Sequence, residues 1–577
     1  MTSFMQKIPF LLELFFNGSF ILLYSLKTTK KLPVGWDEKL IENILGYGVW
    51  GVPIVLLLVV IVNFINSQSL DDFLRRYIFS LVVFIPLILT WGDMEFAFWF
   101  SSAHLLSSVL ALYDDDSDED FIKKFNPVGS QLFQKLKLKP AQMVILSFSA
   151  VIFLGTFLLM LPVSSKEGQA ISFIDALFMS TSATCVTGLA TVSMTENFSM
   201  FGQVVILILI QIGGLSIMTL YSSMTILLGK SIGMKDRIIM QDLLDVSSLD
   251  ELFQMIIDII KYTFFIELWG GIVLTIAFTF EGFEFSKALY YGFFHSISAF
   301  CNAGFSLFDT SLESYSTNPL VNFTVMILIT AGGLGFIVLK ELTAVITTKK
   351  KLSRIGMHSK VVIATSLGLT IVGAGLFFFG EFLNALDSYS LWDKIQISLF
   401  QSVTLRTAGF NTIPFNNLNQ YTIYGMTLFM FIGGSPGSTA GGVKTTTLAI
   451  LIQSIISTLK GDKHVRMLDR TIPGPIVVRA IALTFFSILI TSIFILVMMR
   501  LETEQSFLTI FFEVISAGGT VGLSLGITGF LTTWGKFMIS IVMLIGRIGP
   551  LTLILAIGQR ADERGKFDYP DGRIMIG

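Results

Sequence analysis

Charge is scarce in this chain. Only 14% of its 577 residues are Asp, Glu, Lys or Arg, whereas 53% are hydrophobic and the mean hydropathy is +0.75. A water-soluble protein of this length needs more charge to clothe its surface, so the scarcity makes lipid the solvent for much of the chain. The net charge of −2 excludes nucleic acid as the main partner, because binding phosphate needs a basic face. Two Cys and four His leave no room for a disulfide framework or a metal cluster. His104, His295, His358 and His464 are scattered and form no visible nucleophile–base pairing, so no enzyme is expected. A cleavable signal is missing too: the apolar run in residues 1–26 carries Glu13 and leads into lysines without a small-residue cleavage site.

What the chain has in plenty is long apolar runs, at 144–161, 204–228, 264–280, 321–346, 361–379, 424–456, 481–499 and 537–557. Each is close to the ~20 residues that span the hydrocarbon as a helix. Between the members of each pair sits an apolar segment too short to cross, at 173–184, 289–300, 391–405 and 507–518; these read as re-entrant pore helices. Basic residues orient the array. Lys230, Lys235 and Arg237, then Lys349, Lys350, Lys351, Arg354 and Lys360, then Lys460, Lys463, Arg466, Arg470 and Arg479 follow the successive pairs. The positive-inside rule places these connections in the cytoplasm, with the short segments dipping in from outside. Residues 1–139 hold further apolar candidates at 8–26, 45–65, 77–91 and 96–112, with open topology. The acidic run DDDSDED at 114–120 lacks the glycine and ligand spacing of a calcium loop and reads as a solvated linker.

The decisive feature is internal repetition. The short segments end in similar strings: SATCVTGL at 182–189, SAFCNAGF at 298–305, VTLRTAGF at 403–410 and SAGGTVGL at 516–523. Aligned, they superpose Gly188, Gly304, Gly409 and Gly522, at intervals of 116, 105 and 113 residues. A dehydrated alkali cation needs a ring of oxygen dipoles, and backbone carbonyls supply it without fixed charge. Turning those carbonyls to one axis requires positive φ, which glycine permits. The expected ring therefore comprises Thr187, Gly188, Ala303, Gly304, Ala408, Gly409, Val521 and Gly522, flanked by Val186, Asn302, Thr407 and Thr520. Cys185 and Cys301, three residues before their glycines, read as packing residues behind it.

A second repeated feature lies in the outgoing helices: Gly213–Gly214, Gly332–Gly333 and Gly433–Gly434 recur, and the fourth copy has Gly546–Arg547. An arginine inside an apolar helix costs ~2.5–3.5 kcal/mol or more at mid-membrane, so it should face the pore or a partner. It either satisfies backbone carbonyls structurally or bars the ion path; its replacement of a glycine on the expected pore face favours the barrier. In the third copy the helix is interrupted by Gly433, Gly434, Ser435, Pro436, Gly437, Ser438, Thr439, Ala440, Gly441 and Gly442. Irregular backbone at that depth must line a cavity. It is no phosphate-binding loop, because Val443 stands where glycine must precede Lys444. It reads as an intramembrane loop beneath the filter that obstructs ions.

The expected architecture is thus an all-α integral membrane protein: an N-terminal transmembrane extension and linker (1–139), pore repeats at 140–230, 231–350, 351–465 (with the loop) and 466–558, and a cytoplasmic tail (559–577). The four strings, RTAGFN at 406–411 and GGSPGSTAGG at 433–442, resemble those of the Trk, Ktr and HKT superfamily of potassium transporters, over roughly residues 140–558. The resemblance implies potassium uptake across the plasma membrane, with K+ held at the four glycines and a gate formed by the third-repeat loop beside Arg547. It also implies a homodimer with one pore per subunit and a cytoplasmic nucleotide-binding regulatory ring. Sodium-selective relatives carry serine at the first filter position, so Gly188 favours potassium. The alternatives are a Na+- or H+-coupled symporter and a sodium-permeable member of the same superfamily.

Overall fold

In lipid every backbone polar group must be bonded within the protein, so the apolar runs fold as helices. The computed structural model describes residues 14–25, 27, 38–66, 94, 97–98, 100–102, 105, 140–215, 249–348 and 355–549. Two units separate by their internal contacts, residues 1–138 with 224–232, and 139–223 with 233–577. In the first, α1 (Glu38–Asn66) packs Ile41, Leu45, Val49 and Val52 around Phe20 and Ala97. The expected segments at 77–91 and 114–120 lie outside the described residues.

The second unit holds the repeats. Repeat 1 is α2 (Pro140–Met160), the short α3 (Phe173–Thr184) and α4 (Met200–Leu215); repeat 2 is α5 (Leu249–Phe280), α6 (Phe285–Phe300), α7 (Pro319–Leu334) and α8 (Phe336–Thr348). Repeat 3 is α9 (Met357–Glu381), α10 (Leu391–Thr404), α11 (Gln420–Phe431) and α12 (Thr445–Leu459); repeat 4 is α13 (Gly474–Leu501), α14 (Phe507–Gly519) and α15 (Thr533–Ile548). Among the described residues four helices are long and apolar enough to cross a membrane, or five if the bent pair α7–α8 counts as one span. The strands β1 (Arg466–Met467) and β2 (Arg470–Thr471) form a small antiparallel hairpin in the basic connection between repeats 3 and 4.

Polar caps start three of the short helices. Ser172, Ser390 and Ser506 accept hydrogen bonds from the backbone N–H of Asp175, Asp393 and Thr509, satisfying donors that the first turn leaves free. Each short helix packs against the outgoing helix of the preceding repeat: α6 on α4, α10 on α7, α14 on α11, and α3 on α15. The last contact closes a ring, which the Lys536–Asp175 ion pair at 2.7 Å bridges between repeats 4 and 1.

The sequence reading gives 321–346 as one apolar run of spanning length, and the structure divides it into two helices. The helix breaks at Gly335, where φ is 93° and α7 and α8 meet at 110°. Positive φ ends a helix and glycine adopts it without a steric cost. The Phe336 N–H beyond the break donates to the Gly437 carbonyl at 3.0 Å, and Lys340 pairs with Asp258 on α5 at 2.8 Å.

Candidate functional site: a four-fold ring of backbone

The short helices end in closely similar turns. In repeats 1, 2 and 4 the terminal N–H groups fold back in a Schellman pattern: Thr187 N–H to Ser182 O and Val186 N–H to Ala183 O, then Ala303 to Ser298 with Asn302 to Ala299, then Val521 to Ser516 with Thr520 to Ala517. Such a motif needs a left-handed residue, ordinarily glycine. Here Val186 (φ 55°), Asn302 (59°) and Thr520 (52°) take it, as does Thr407 (67°) in repeat 3. For β-branched residues this conformation is a true outlier, costing on the order of 1–3 kcal/mol each. Two residues on, Gly188, Gly304, Gly409 and Gly522 have φ of 95°, 71°, 81° and 92°. The sequence reading foresees the second positive-φ site in each string and misses the first, because nothing in Val or Thr announces it.

The four glycines meet. A side-chain carbon on Gly188 would stand 2.5 Å from the Ala303 carbonyl oxygen, on Gly304 2.7 Å from that of Ala408, and on Gly409 2.6 Å from that of Val521. On Gly522 it would strike the Thr187 carbonyl. The contacts run 1 to 2 to 3 to 4 and back to 1, so the strings form one closed ring with repeats 1 and 3, and 2 and 4, across from each other. The space at the ring's edge is backbone on every side, which is why no side chain fits there. Thr187, Ala303, Ala408 and Val521 are fully buried beside the glycines, and so are Val186, Asn302, Thr407 and Thr520. Cys185 and Cys301 are buried free thiols, in keeping with packing residues. Gly214 leaves the room that the Cys301 sulfur fills.

Above the ring opens a cavity of about 410 Å³ whose lining includes all four glycines. Glu196, Asp309 and Glu313 line it, and among the described residues no Lys or Arg does. Its walls are fixed: Asp309 accepts from Ser193 at 2.6 Å and from Thr195, and Glu313 accepts from Asn411 Nδ2 at 2.7 Å. Burial pushes the Glu313 carboxyl above its ordinary range, against the hydrogen bond from Asn411.

Below the ring lies the third-repeat loop, drawn shut by Gly433 N–H to Val443 O at 2.9 Å and Thr445 N–H to Gly434 O at 3.1 Å. It is stitched to repeat 2 through Ser435 N–H to Gly333 O (3.0 Å) and Thr439 N–H to Gly332 O (3.2 Å), and Thr439 Oγ1 donates to Phe300 O at the end of α6 (3.2 Å). Gly441 lies against Thr520 of the fourth string, where any side chain would clash. Gly437 and Gly442 have positive φ. Arg547 reaches this loop from repeat 4: its guanidinium donates to the carbonyls of Thr439 and Gly213, with Gly214 O at 3.5 Å. One arginine therefore joins the loop, repeat 1 and repeat 4. Lys444, which the sequence reading used only to dismiss a phosphate loop, donates Nζ to Ala440 O at 2.8 Å and braces the loop from within. The first glycine of three outgoing pairs has a simpler part. Gly213, Gly332 and Gly546 let their helices touch the terminal carbonyls of Thr184, Phe300 and Gly518.

Known proteins are similar to this chain in sequence and in fold. A family model described as the TrkH cation transport protein matches residues 130–563. The Ktr system potassium uptake protein B of Bacillus subtilis is 38% identical over 445 residues, 77% of this chain and 98% of that protein. The potassium/sodium uptake protein NtpJ of Enterococcus hirae is 36% identical over 447 residues, 76% and 98% respectively. The crystal structure of the potassium transporter TrkH from Vibrio parahaemolyticus shares the fold, with a TM-score of 0.58 and 18% identity across 88% of this chain and 98% of that one. This chain is a multi-pass membrane protein of the TrkH cation transport family, a transporter and not an enzyme.

Proposed function

We propose that this chain is the ion-conducting subunit of a potassium uptake system, with the four-glycine ring as its selectivity filter. The observation that carries this is the cyclic contact of Gly188, Gly304, Gly409 and Gly522 with the carbonyl-bearing backbone of the next repeat, at the floor of an acidic vestibule. Carbonyls of Thr187, Ala303, Ala408 and Val521 and of the glycines replace the water shell of a K+ ion, which enters as transported cargo. The short helices present their C-terminal, partly negative ends to the same point. The acidic vestibule concentrates cations ahead of it.

The loop from Gly433 to Gly442 and Arg547 restrain flow in this reading. The guanidinium adds a positive barrier, and its hydrogen bonds to Thr439 and Gly213 hold the loop under the ring. The assembly is a homodimer with one pore in each subunit, docked through its basic cytoplasmic connections to a nucleotide-binding regulatory ring. The names of the Ktr and TrkH relatives, both potassium systems, support the choice of ion. Purified protein in liposomes, under imposed potassium, sodium and proton gradients, tests the function. Potassium flux that follows its own electrochemical gradient, with sodium largely excluded, supports it. Flux that requires an opposing or accompanying sodium or proton gradient replaces it with a coupled symporter, and equal passage of sodium replaces it with a sodium-permeable channel.

A further inference from the structure

The backbone leaving the ring is held differently in alternate repeats. Two residues past the filter glycines stand Ala190, Ser306, Asn411 and Ser524, all of which line the vestibule. Behind two of them, nine residues before the glycine on the pore helix, sit buried polar side chains: His295 in repeat 2 and Glu513 in repeat 4, both with no exposed surface. Their partners match. His295 Nε2 lies 2.9 Å from Ser306 Oγ, and Glu513 Oε2 accepts from Ser524 Oγ at 2.7 Å. Tyr291 O, which can only accept, lies 2.7 Å from His295 Nδ1; that nitrogen carries the proton, and in the neutral ring Nε2 accepts from the serine. Each serine then accepts from the N–H two residues onward, Phe308 and Gly526, both at 3.0 Å.

Packing alone does not ask for these groups. The same place in repeats 1 and 3 holds Met179 and Phe400, which are just as buried. A buried carboxyl whose partners are the hydroxyls of Ser524 and Thr528 is costlier than a well-packed methionine or phenylalanine. The expense falls on two repeats that face each other across the ring, and in both it goes to the residue that aims the strand out of the filter.

We propose that His295 and Glu513 are positioning residues for cation selectivity, each fixing the exit strand of its filter string through the serine it holds. The inference rests on the filter reading above. A hydroxyl donates one hydrogen, so each serine is committed in one direction, and the strand carrying the glycine carbonyl cannot swing outward without breaking that bond. Ring size then becomes a property of the protein and not of the ion inside it.

The test uses full-length protein in liposomes and reads three quantities per correctly folded molecule: the potassium-to-sodium flux ratio, the KM for potassium and the maximal rate. Ser306→Ala and Ser524→Ala should each lower the ratio about three- to tenfold, the range one ordinary hydrogen bond allows. Glu513→Gln, which keeps an acceptor oxygen and the volume, should retain more selectivity than Glu513→Leu. Adding Ser524→Ala to Glu513→Leu should change nothing further, whereas Ser306→Ala and Ser524→Ala together should multiply. A purely structural role predicts lower yield with an unchanged ratio. Should Glu513→Leu fail to fold, the two serine variants decide alone. If ratio and KM stay at parental values in Ser306→Ala and Ser524→Ala while Gly522→Ser lowers the ratio, the positioning role is refuted and the filter stands. If Gly522→Ser also leaves the ratio unaltered, both fall.

Discussion

Replacing Gly304 with serine puts the filter reading at greatest risk. The backbone there has φ of 71°, and a new Cβ would stand 2.7 Å from Ala408 O and 2.9 Å from Gly409 Cα. Left-handed backbone costs a residue with a side chain ~1–2 kcal/mol. The contacts fall short of an ordinary ~3.5 Å carbon separation by more than half an ångström, and the atoms that must yield are backbone of the neighbouring string. The ring therefore widens or twists at repeat 3. Selectivity responds only to the difference between the two ions, and a difference of ~1.4 kcal/mol is already tenfold. We expect the potassium-to-sodium uptake ratio to fall by about tenfold in Gly304→Ser, and similarly in Gly188→Ser, whose added carbon meets Ala303 O at 2.5 Å. Gly168 supplies the control. It has φ of 69° in an outer loop with nothing within 4 Å, so Gly168→Ser carries the backbone penalty without the clash and should leave the ratio alone. Competitive uptake in cells lacking other potassium systems, normalised to folded protein, reads all three. A parental ratio in both filter variants refutes the reasoning, and so does an equal fall in the Gly168 control.

Other consequences are separable. Arg547→Ala, or shortening of the loop between Gly433 and Gly442, should raise potassium flux in the absence of the regulator and blunt the response to its nucleotide; if both fold normally and conduct no faster, the loop only shapes the cavity. Charge reversal at Lys460, Lys463, Arg466 and Arg470 should weaken co-purification with a soluble regulatory partner while insertion stays intact, and unaltered binding in every variant moves the docking surface elsewhere. The Glu313 carboxyl is raised by burial, so it protonates as external pH falls, at a higher pH than an ordinary glutamate. Its negative charge, beside those of Asp309 and Glu196, is then lost from the vestibule. External acidification should therefore raise the KM for potassium, and Glu313→Gln should begin with a raised KM and show a weaker pH dependence. Identical pH profiles in the two proteins contradict this.

Much of the fold was legible because lipid imposes length and periodic composition. The segment at 173–184 coincides with α3 (Phe173–Thr184), and 391–405 differs from α10 by one residue. That Gly188, Gly304, Gly409 and Gly522 belong together was legible from repetition, and the structure brings them into one ring. Features set by tertiary contact were not. The break at Gly335 hides in a run that is apolar on both sides, and it forms where the Gly437 carbonyl offers the Phe336 N–H a partner. The left-handed Val186, Thr407 and Thr520 carry no local signal, since glycine or asparagine is the ordinary occupant of such a turn, and of the four only Asn302 is of that type. The two roles weighed for Arg547 are not exclusive: it does satisfy backbone carbonyls, and those carbonyls belong to the loop and to repeat 1. Ser306 and Ser524 stand just beyond their glycines in plain view, but their partners eleven residues upstream become evident only once the short helix is folded.

The central claim, that the four backbone strings enclose a cation, is tested most directly by crystals of the purified protein grown with rubidium, which mimics potassium and scatters anomalously. We predict an anomalous peak on the axis of the ring, bounded by the carbonyls of Thr187, Ala303, Ala408 and Val521 and of the glycines that follow them, and its loss when sodium replaces rubidium. A well-ordered ring with no peak on that axis, or with rubidium bound only elsewhere, contradicts the account.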